Sequence, residues 1–80
     1  MPTLLHIEGF RFYFHSREGT EPPHVHVRKG DANAKLWLQP IRLAFADGYS
    51  PSELRQIREL TLEHQAFFIE RWHEYFSDQR

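Results

Sequence analysis

Residues 5–15 read LHIEGFRFYFH, and their alternation of side chains is typical of two short β-strands. Glu8-Gly9 separates the two strands. Glycine takes positive φ without steric cost, so this pair suits a two-residue hairpin turn. The stretch therefore predicts an antiparallel hairpin in which Ile7 faces Phe10 and Leu5 faces Phe12.

The rest of the first half repeats this pattern. Residues 24–28 (HVHVR) and 34–38 (AKLWL) alternate, and Gly30-Asp31 between them is typical of a turn. In a tight hairpin, Val25 would face Leu36 and Val27 would face Ala34. Residues 41–45 predict a fifth, short strand. Residues 1–46 are thus expected to form an antiparallel meander of four or five strands.

The second half predicts a long helix. Ser50-Pro51-Ser52-Glu53 combines a capping serine, a proline at the first helical position and a glutamate that can complete a capping box. An apolar stripe then continues to about Phe76, within a helical segment at 50–77. A continuous helix of that length would span about 40 Å, so a bend near Thr61–His64 is expected. The predicted fold is α+β, with the helix packed on one face of the sheet.

Composition restricts the class of protein. Eighty residues predict a single domain, 1–80. The chain has no cysteine, which excludes a disulfide scaffold and a thiolate metal site. Its 10 Lys+Arg against 11 Asp+Glu, a net charge of −1, argue against a strongly basic nucleic-acid-binding domain. With no long apolar run and no signal-like N-terminus, we expect a cytoplasmic protein without membrane contact.

Strand alternation sorts the side chains into two faces. The first face is apolar and should lie under the helix: Leu5, Ile7, Phe10, Phe12, Phe14, Val25, Val27, Ala34, Leu36, Leu38, Ile41 and Leu43. The second face carries histidine, cationic and aromatic residues: His6, Glu8, Arg11, Tyr13, His15, His24, His26, Arg28, Lys35, Trp37 and Arg42. A face of that composition can bind an anion, a nucleotide strand or a partner protein.

His24-x-His26 places two imidazoles on one strand face, about 6–7 Å apart. Both could reach one divalent metal ion such as Zn²⁺. A third ligand is required, and His15, His64 or Glu21 could supply it. The competing interpretation is two surface histidines without a ligand.

The same face also suits metal-independent RNA cleavage. His24 and His26 could act as general base and general acid. Cationic side chains could hold phosphate and aromatic rings could stack on bases; the candidates are Arg11, Arg28, Lys35, Tyr13 and Trp37. The competing interpretation is ordinary cross-strand pairing on an exposed sheet face.

Three further features have structural and functional interpretations. His64 is expected to be a partly buried, hydrogen-bonded side chain, or else part of the site. The loop at 17–21 is expected to be solvated, or to form a mobile rim beside His24 and His26. Leu60 and Phe67 lie outside the helical stripe, so they predict either a bent helix or a surface for a partner or a homodimer.

The stretches EGTEPPHVHV at 18–27, AKLWL at 34–38 and EHQ at 63–65, together with Trp72, resemble the domain-of-unknown-function 4160 family of small bacterial proteins. The resemblance implies a compact cytoplasmic protein encoded beside a second small gene, in a toxin–antitoxin-like pair. It also implies that Glu21, His24, His26, His64 and Trp72 belong to the family pattern. It supplies no reaction.

The first-ranked prediction is a small interaction or regulatory protein, one member of such a pair, that binds its target through the His/Arg/aromatic face. The alternatives are an RNase-like toxin that uses His24 and His26, and a divalent-metal-binding protein.

Overall fold

A computed structural model describes residues 3–77. In chain order the elements are β1 Thr3–Ile7, β2 Phe10–Tyr13, β3 His24–Lys29, β4 Ala32–Leu38, β5 Ile41–Asp47, α1 Pro51–Glu63 and α2 Gln65–Phe76. The strands form one antiparallel sheet in the order β1-β2-β3-β4-β5. This confirms the predicted α+β fold, with five strands. Within the described residues, no helix is long and apolar enough to cross a membrane.

The predicted hairpins have the predicted registers. Ile7 pairs with Phe10 and Leu5 with Phe12, across a turn in which Glu8 and Gly9 have φ values of 54° and 86°. Two positive φ values are the signature of a type I′ turn, whose twist matches that of the strands it joins. The pairs Val25–Leu36 and Val27–Ala34 are also present between β3 and β4.

The fifth strand differs from its prediction. It has seven residues and is as long as β4. Lys35 pairs with Phe45 while Leu36 pairs with Leu43, so one extra residue of β5 lies between the two pairs as a bulge. Leu43, which was expected under the helix, is 50% exposed. It lies on an edge strand that the helices cover incompletely.

The core lies between the apolar face of the sheet and one side of both helices. The ring of Phe68 stacks on Phe12 at 5.2 Å, and Trp72 meets Phe14 edge-on at 5.1 Å. The core cluster is otherwise formed by Phe10, Val25, Val27, Ala34, Leu36, Leu38, Ile57, Leu60 and Phe76. The predicted apolar face is therefore buried in its middle, partly buried at Leu5, Ile7 and Ile41, and exposed at Leu43.

The helical segment begins with the predicted capping box and is broken at His64. Ser50 accepts from the Glu53 backbone N–H, and the Glu53 carboxylate accepts from Ser50 N–H. His64 separates the two helices with φ −106° and ψ 15°. Gln65 Nε2 donates to Leu38 O at 2.6 Å, which fastens the break to the end of β4. The break buries Leu60 but leaves Phe67 41% exposed.

Tyr49 joins the β3–β4 hairpin to the start of α1. Its hydroxyl donates to Val27 O at 2.9 Å, and Ala32 O lies at 3.3 Å. Burial, followed by electrostatic repulsion from Glu53 and from Tyr13, raises the pKa of Tyr49 from 10.0 to about 12. The neutral phenol is thus favoured in the folded protein.

We expect the alkaline stability of the protein to depend on Tyr49. Because its pKa is raised by folding, its contribution is complete below pH 10 and is lost as pH rises toward about 12. Tyr49→Phe should lower the free energy of unfolding by about 1 kcal/mol at pH 9, and this deficit should shrink at higher pH. Urea denaturation of both proteins across that range measures it. A deficit that does not change with pH would contradict the assignment.

Candidate functional site

The loop between β2 and β3 brings a carboxylate onto two histidines. Glu18 Oε1 accepts from His26 Nε2 at 2.7 Å and from His24 Nε2 at 2.9 Å. The ring of His15 lies against that of His26, with centroids 4.1 Å apart. We call His15, Glu18, His24 and His26 the histidine–glutamate cluster.

Packing against α2 sets the position of this loop. A Cβ atom at Gly19 would lie 2.7 Å from Phe76 Cδ1, so only glycine allows the loop to approach the helix this closely. At the other end of the loop, Leu38 N–H donates to Pro23 O at 3.0 Å. The loop is therefore held from both sides, and Glu18 is directed over the sheet instead of into solvent.

His24 is the anchored member of the cluster. It is fully buried, and its ring contacts Trp72 at 4.8 Å and Trp37 at 5.5 Å. Its Nδ1 lies 2.9 Å from Pro22 O, and its Nε2 faces Glu18. His24 is thus in hydrogen-bond contact through both ring nitrogens. His24 is therefore fixed in place and positions Glu18.

His26 and His15 form the more open side of the cluster. His26 is 7% exposed and stacks on Tyr13 with centroids 5.4 Å apart. His15 is half-buried, and the Glu18 side chain is 19% exposed. The most solvent-exposed part of the cluster is therefore at His15 and Glu18.

The surroundings of His26 and Glu18 lower the pKa of both groups. Burial, only partly offset by the bond to Glu18, lowers the pKa of His26 below 6.5. Burial alone would raise the pKa of Glu18, but the bonds from His24 and His26 and their positive charge lower it below 4.5. A neutral imidazole and an ionised carboxylate are the forms that bind metal.

Among residues 3–77, two groups of side chains bring potential metal-ligand atoms within 4.8 Å of one another. One group is His15, Glu18 and His26, and the other is Glu18, Glu21 and His24. The two histidines of the His24-x-His26 motif thus fall in different groups, and Glu18 belongs to both. The geometry is a shared carboxylate, not the two-histidine chelate expected from the spacing.

A family model described as a domain of unknown function, DUF4160, matches residues 9–73. The chain belongs to the DUF4160 family. The match includes the whole histidine–glutamate cluster and most of both helices. A search of curated proteins gave no match, and neither did a search of solved structures.

The other predicted site residues of this DUF4160 protein surround the cluster with their polar groups mostly engaged elsewhere. Lys35 Nζ donates to Glu21 Oε1 at 2.7 Å and lies over the Trp37 ring at 4.5 Å. Arg28 is exposed, and its Nε donates to Gly30 O. Arg11 lies over the Tyr13 ring at 4.9 Å, and its Nε is buried without a hydrogen-bond partner.

His64 lies apart from the cluster in this family member. Its ring is 6.1 Å from that of Phe68, and it belongs to neither group of potential ligands in the described chain. It was expected to be hydrogen-bonded, but its Nε2 is buried without a partner among residues 3–77. The backbone N–H of His64 donates to Leu60 O, as in the regular turns of a helix.

Glu18 is the cluster residue that sequence reasoning missed. The loop was expected to be solvated, and Glu18 was not distinguished from its charged neighbours. One signal was available. The loop joins neighbouring antiparallel strands and contains Gly19 and the stiff pair Pro22-Pro23, so few backbone conformations are open to it. One of them is the rim beside His24 and His26 that the second interpretation of this loop describes.

Proposed function

We propose that this DUF4160 protein binds a divalent metal ion through His15, Glu18 and His26. The observation that carries the proposal is the convergence of their ligand atoms within 4.8 Å on a carboxylate that is already held in place. Two imidazoles and one carboxylate form a donor set used by zinc and by non-haem iron. His24 does not bind the ion but orients Glu18, because a ligating carboxylate is commonly held by a further hydrogen bond.

The choice between the two ligand groups rests on Lys35. Glu21 Oε1 receives the Lys35 ammonium at 2.7 Å, so a metal ion there would compete with a cation already in contact. No cation of Lys or Arg lies within 4 Å of Glu18 in the part of the chain that the structure describes. His15, Glu18 and His26 therefore form the better site.

To admit the ion, distances between ligand atoms would change by about 0.5 Å for the closest pair and by up to about 1.5 Å for the others. Tetrahedral zinc with ligand bonds near 2.0–2.1 Å separates its ligand atoms by about 3.3 Å. The Glu18–His26 distance of 2.7 Å would have to open by about half an ångström. The half-exposed side, at His15, leaves room for a water molecule as a fourth ligand, as in sites that keep an open position.

The RNase interpretation has less support from the geometry. A general acid or base must come within hydrogen-bond reach of the substrate. His24 is fully buried and His26 is 7% exposed, and Glu18 engages both of them.

The toxin–antitoxin-like pair of proteins that the family resemblance implies remains part of the proposal. In this view the protein is a bacterial, cytoplasmic interaction protein, one member of a toxin–antitoxin-like pair, and its metal site regulates or stabilises the form that binds the partner. Binding of metal to the folded state alone would stabilise it by mass action.

The test is a calorimetric titration of the untagged protein with ZnCl₂. We expect one ion per chain. His15→Ala should weaken binding by at least about tenfold, or about 1.4 kcal/mol, because it removes a ligand. Glu21→Gln should leave the affinity within about twofold of wild type, because Glu21 belongs to the other ligand group. Exposed His6, on β1, supplies the matched control His6→Ala.

Each alternative has its own outcome. If Glu21→Gln loses zinc affinity and His15→Ala retains it, the ion binds the second group, Glu18, Glu21 and His24. Equal affinity in all four proteins, or no binding to wild type, would refute a metal site in the cluster. Circular dichroism of each variant establishes that it is folded.

A further inference from the structure

The β5 edge of the sheet carries a second surface, separate from the histidine–glutamate cluster. β5 pairs with β4 on one side only, and six of its seven residues are exposed. Its middle, Leu43 to Ala46, carries no charge, and Leu43 and Phe45 are 50% and 48% exposed. An edge strand with an uncharged, exposed middle is a template for another strand, and most proteins protect such edges.

A groove of about 290 Å³ lies beside this edge, between β5 and α1. Its walls are apolar at Leu36, Ile41, Leu43 and Leu54. A strand added to β5 would direct alternate side chains toward the helix side of the sheet, where the groove could receive one of them.

Two arginines give the groove a charge. Arg55 and Arg58 line it, and their spacing of three residues places them on one side of α1. Among residues 3–77, neither guanidinium has a carboxylate within 4 Å. The chain as a whole has a net charge of −1, so this positive rim is a local feature.

We infer that β5 and the adjoining groove bind an extended, acidic–apolar segment of a partner protein. The segment adds a sixth strand to the sheet, places an aliphatic side chain in the groove, and sets a carboxylate against Arg55 or Arg58. Main-chain hydrogen bonds and alternate side-chain pockets are the usual elements of strand addition. The positive charge of the two arginines makes the site specific for an acidic sequence.

The experiment is an NMR titration of the ¹⁵N-labelled protein with the capped peptide EVLVE. We expect saturable shifts of backbone amides in β5 and in the exposed face of α1. The charge-reversed peptide KVLVK should bind at least fivefold more weakly. Arg58→Glu should weaken EVLVE at least fivefold, whereas Arg71→Glu, an exposed arginine on α2, should leave its binding unchanged.

Three outcomes would overturn the inference. EVLVE could leave the β5 amides unshifted at millimolar concentration, or KVLVK could bind as well as EVLVE. The protein could also be a dimer that Leu43→Lys dissociates, as measured by sedimentation, in which case a second copy occupies the edge.

Discussion

Phe68→Ala should destabilise the protein by about 3–5 kcal/mol. Phe68 is fully buried and stacks on Phe12 at 5.2 Å, so the truncation removes the contact that attaches α2 to the middle of the sheet. The total free energy of unfolding of a domain of this size is about 4–12 kcal/mol. The loss is therefore a large part of the stability, and urea denaturation followed by circular dichroism measures it.

The neighbouring phenylalanine is the control. Phe67 is 41% exposed, and Phe67→Ala makes the same chemical change in the same helix, so its cost should stay below about 1 kcal/mol. Phe68→Leu, which keeps more of the volume, should lie between the two and preserve a measurable transition. Similar losses for Phe67→Ala and Phe68→Ala would mean that α2 does not pack as described.

Glu18→Gln should have the largest effect on the histidine–glutamate cluster. The change keeps the shape and one accepting oxygen but removes the charge. We expect zinc affinity to fall by at least a hundredfold, about 2.7 kcal/mol, because a neutral amide is a poor ligand for the ion. Without metal, the free energy of unfolding at pH 7 should fall by about 1–3 kcal/mol, because two charge-assisted bonds become neutral.

The pH dependence gives an independent control on the same variant. The pKa of Glu18 is lowered from 4.5. Its contribution is therefore complete above that pH and is lost as pH falls through the lowered folded-state pKa. The stability difference between wild type and Glu18→Gln should be complete at pH 7 and should shrink as the pH falls below 4.5. Urea titrations with a chelator present measure it, and equal stabilities at pH 7 would show that the bonds to His24 and His26 contribute nothing.

Local pattern was sufficient to predict the sheet and the helix start. Alternation from Leu5 to Phe14 assigns each side chain to a face, because the strand period is two residues. The Glu8-Gly9 turn sets the register of the first hairpin, and Ser50 with Glu53 marks the helix start. All of these depend on residues within a few positions of one another.

The remaining features depend on contacts between distant parts of the chain. Glu18 reaches His24 and His26 because Gly19 lets its loop pack on Phe76, 57 positions away (76 − 19). The helix break is fastened by Gln65 to Leu38, which periodicity does not show. The extent of β5 depends on a bulge that changes which face Phe45 occupies.

The order of the elements along the chain also determines which apolar surfaces are exposed during synthesis. The aromatic face of β2 is synthesised first, whereas Phe68, Trp72 and Phe76, which cover it, come from α2. A nascent chain whose strands have left the ribosome before α2 would thus carry a sheet without the helix that covers its apolar side. Such an intermediate is prone to aggregation and is a substrate for chaperones until the last helix emerges.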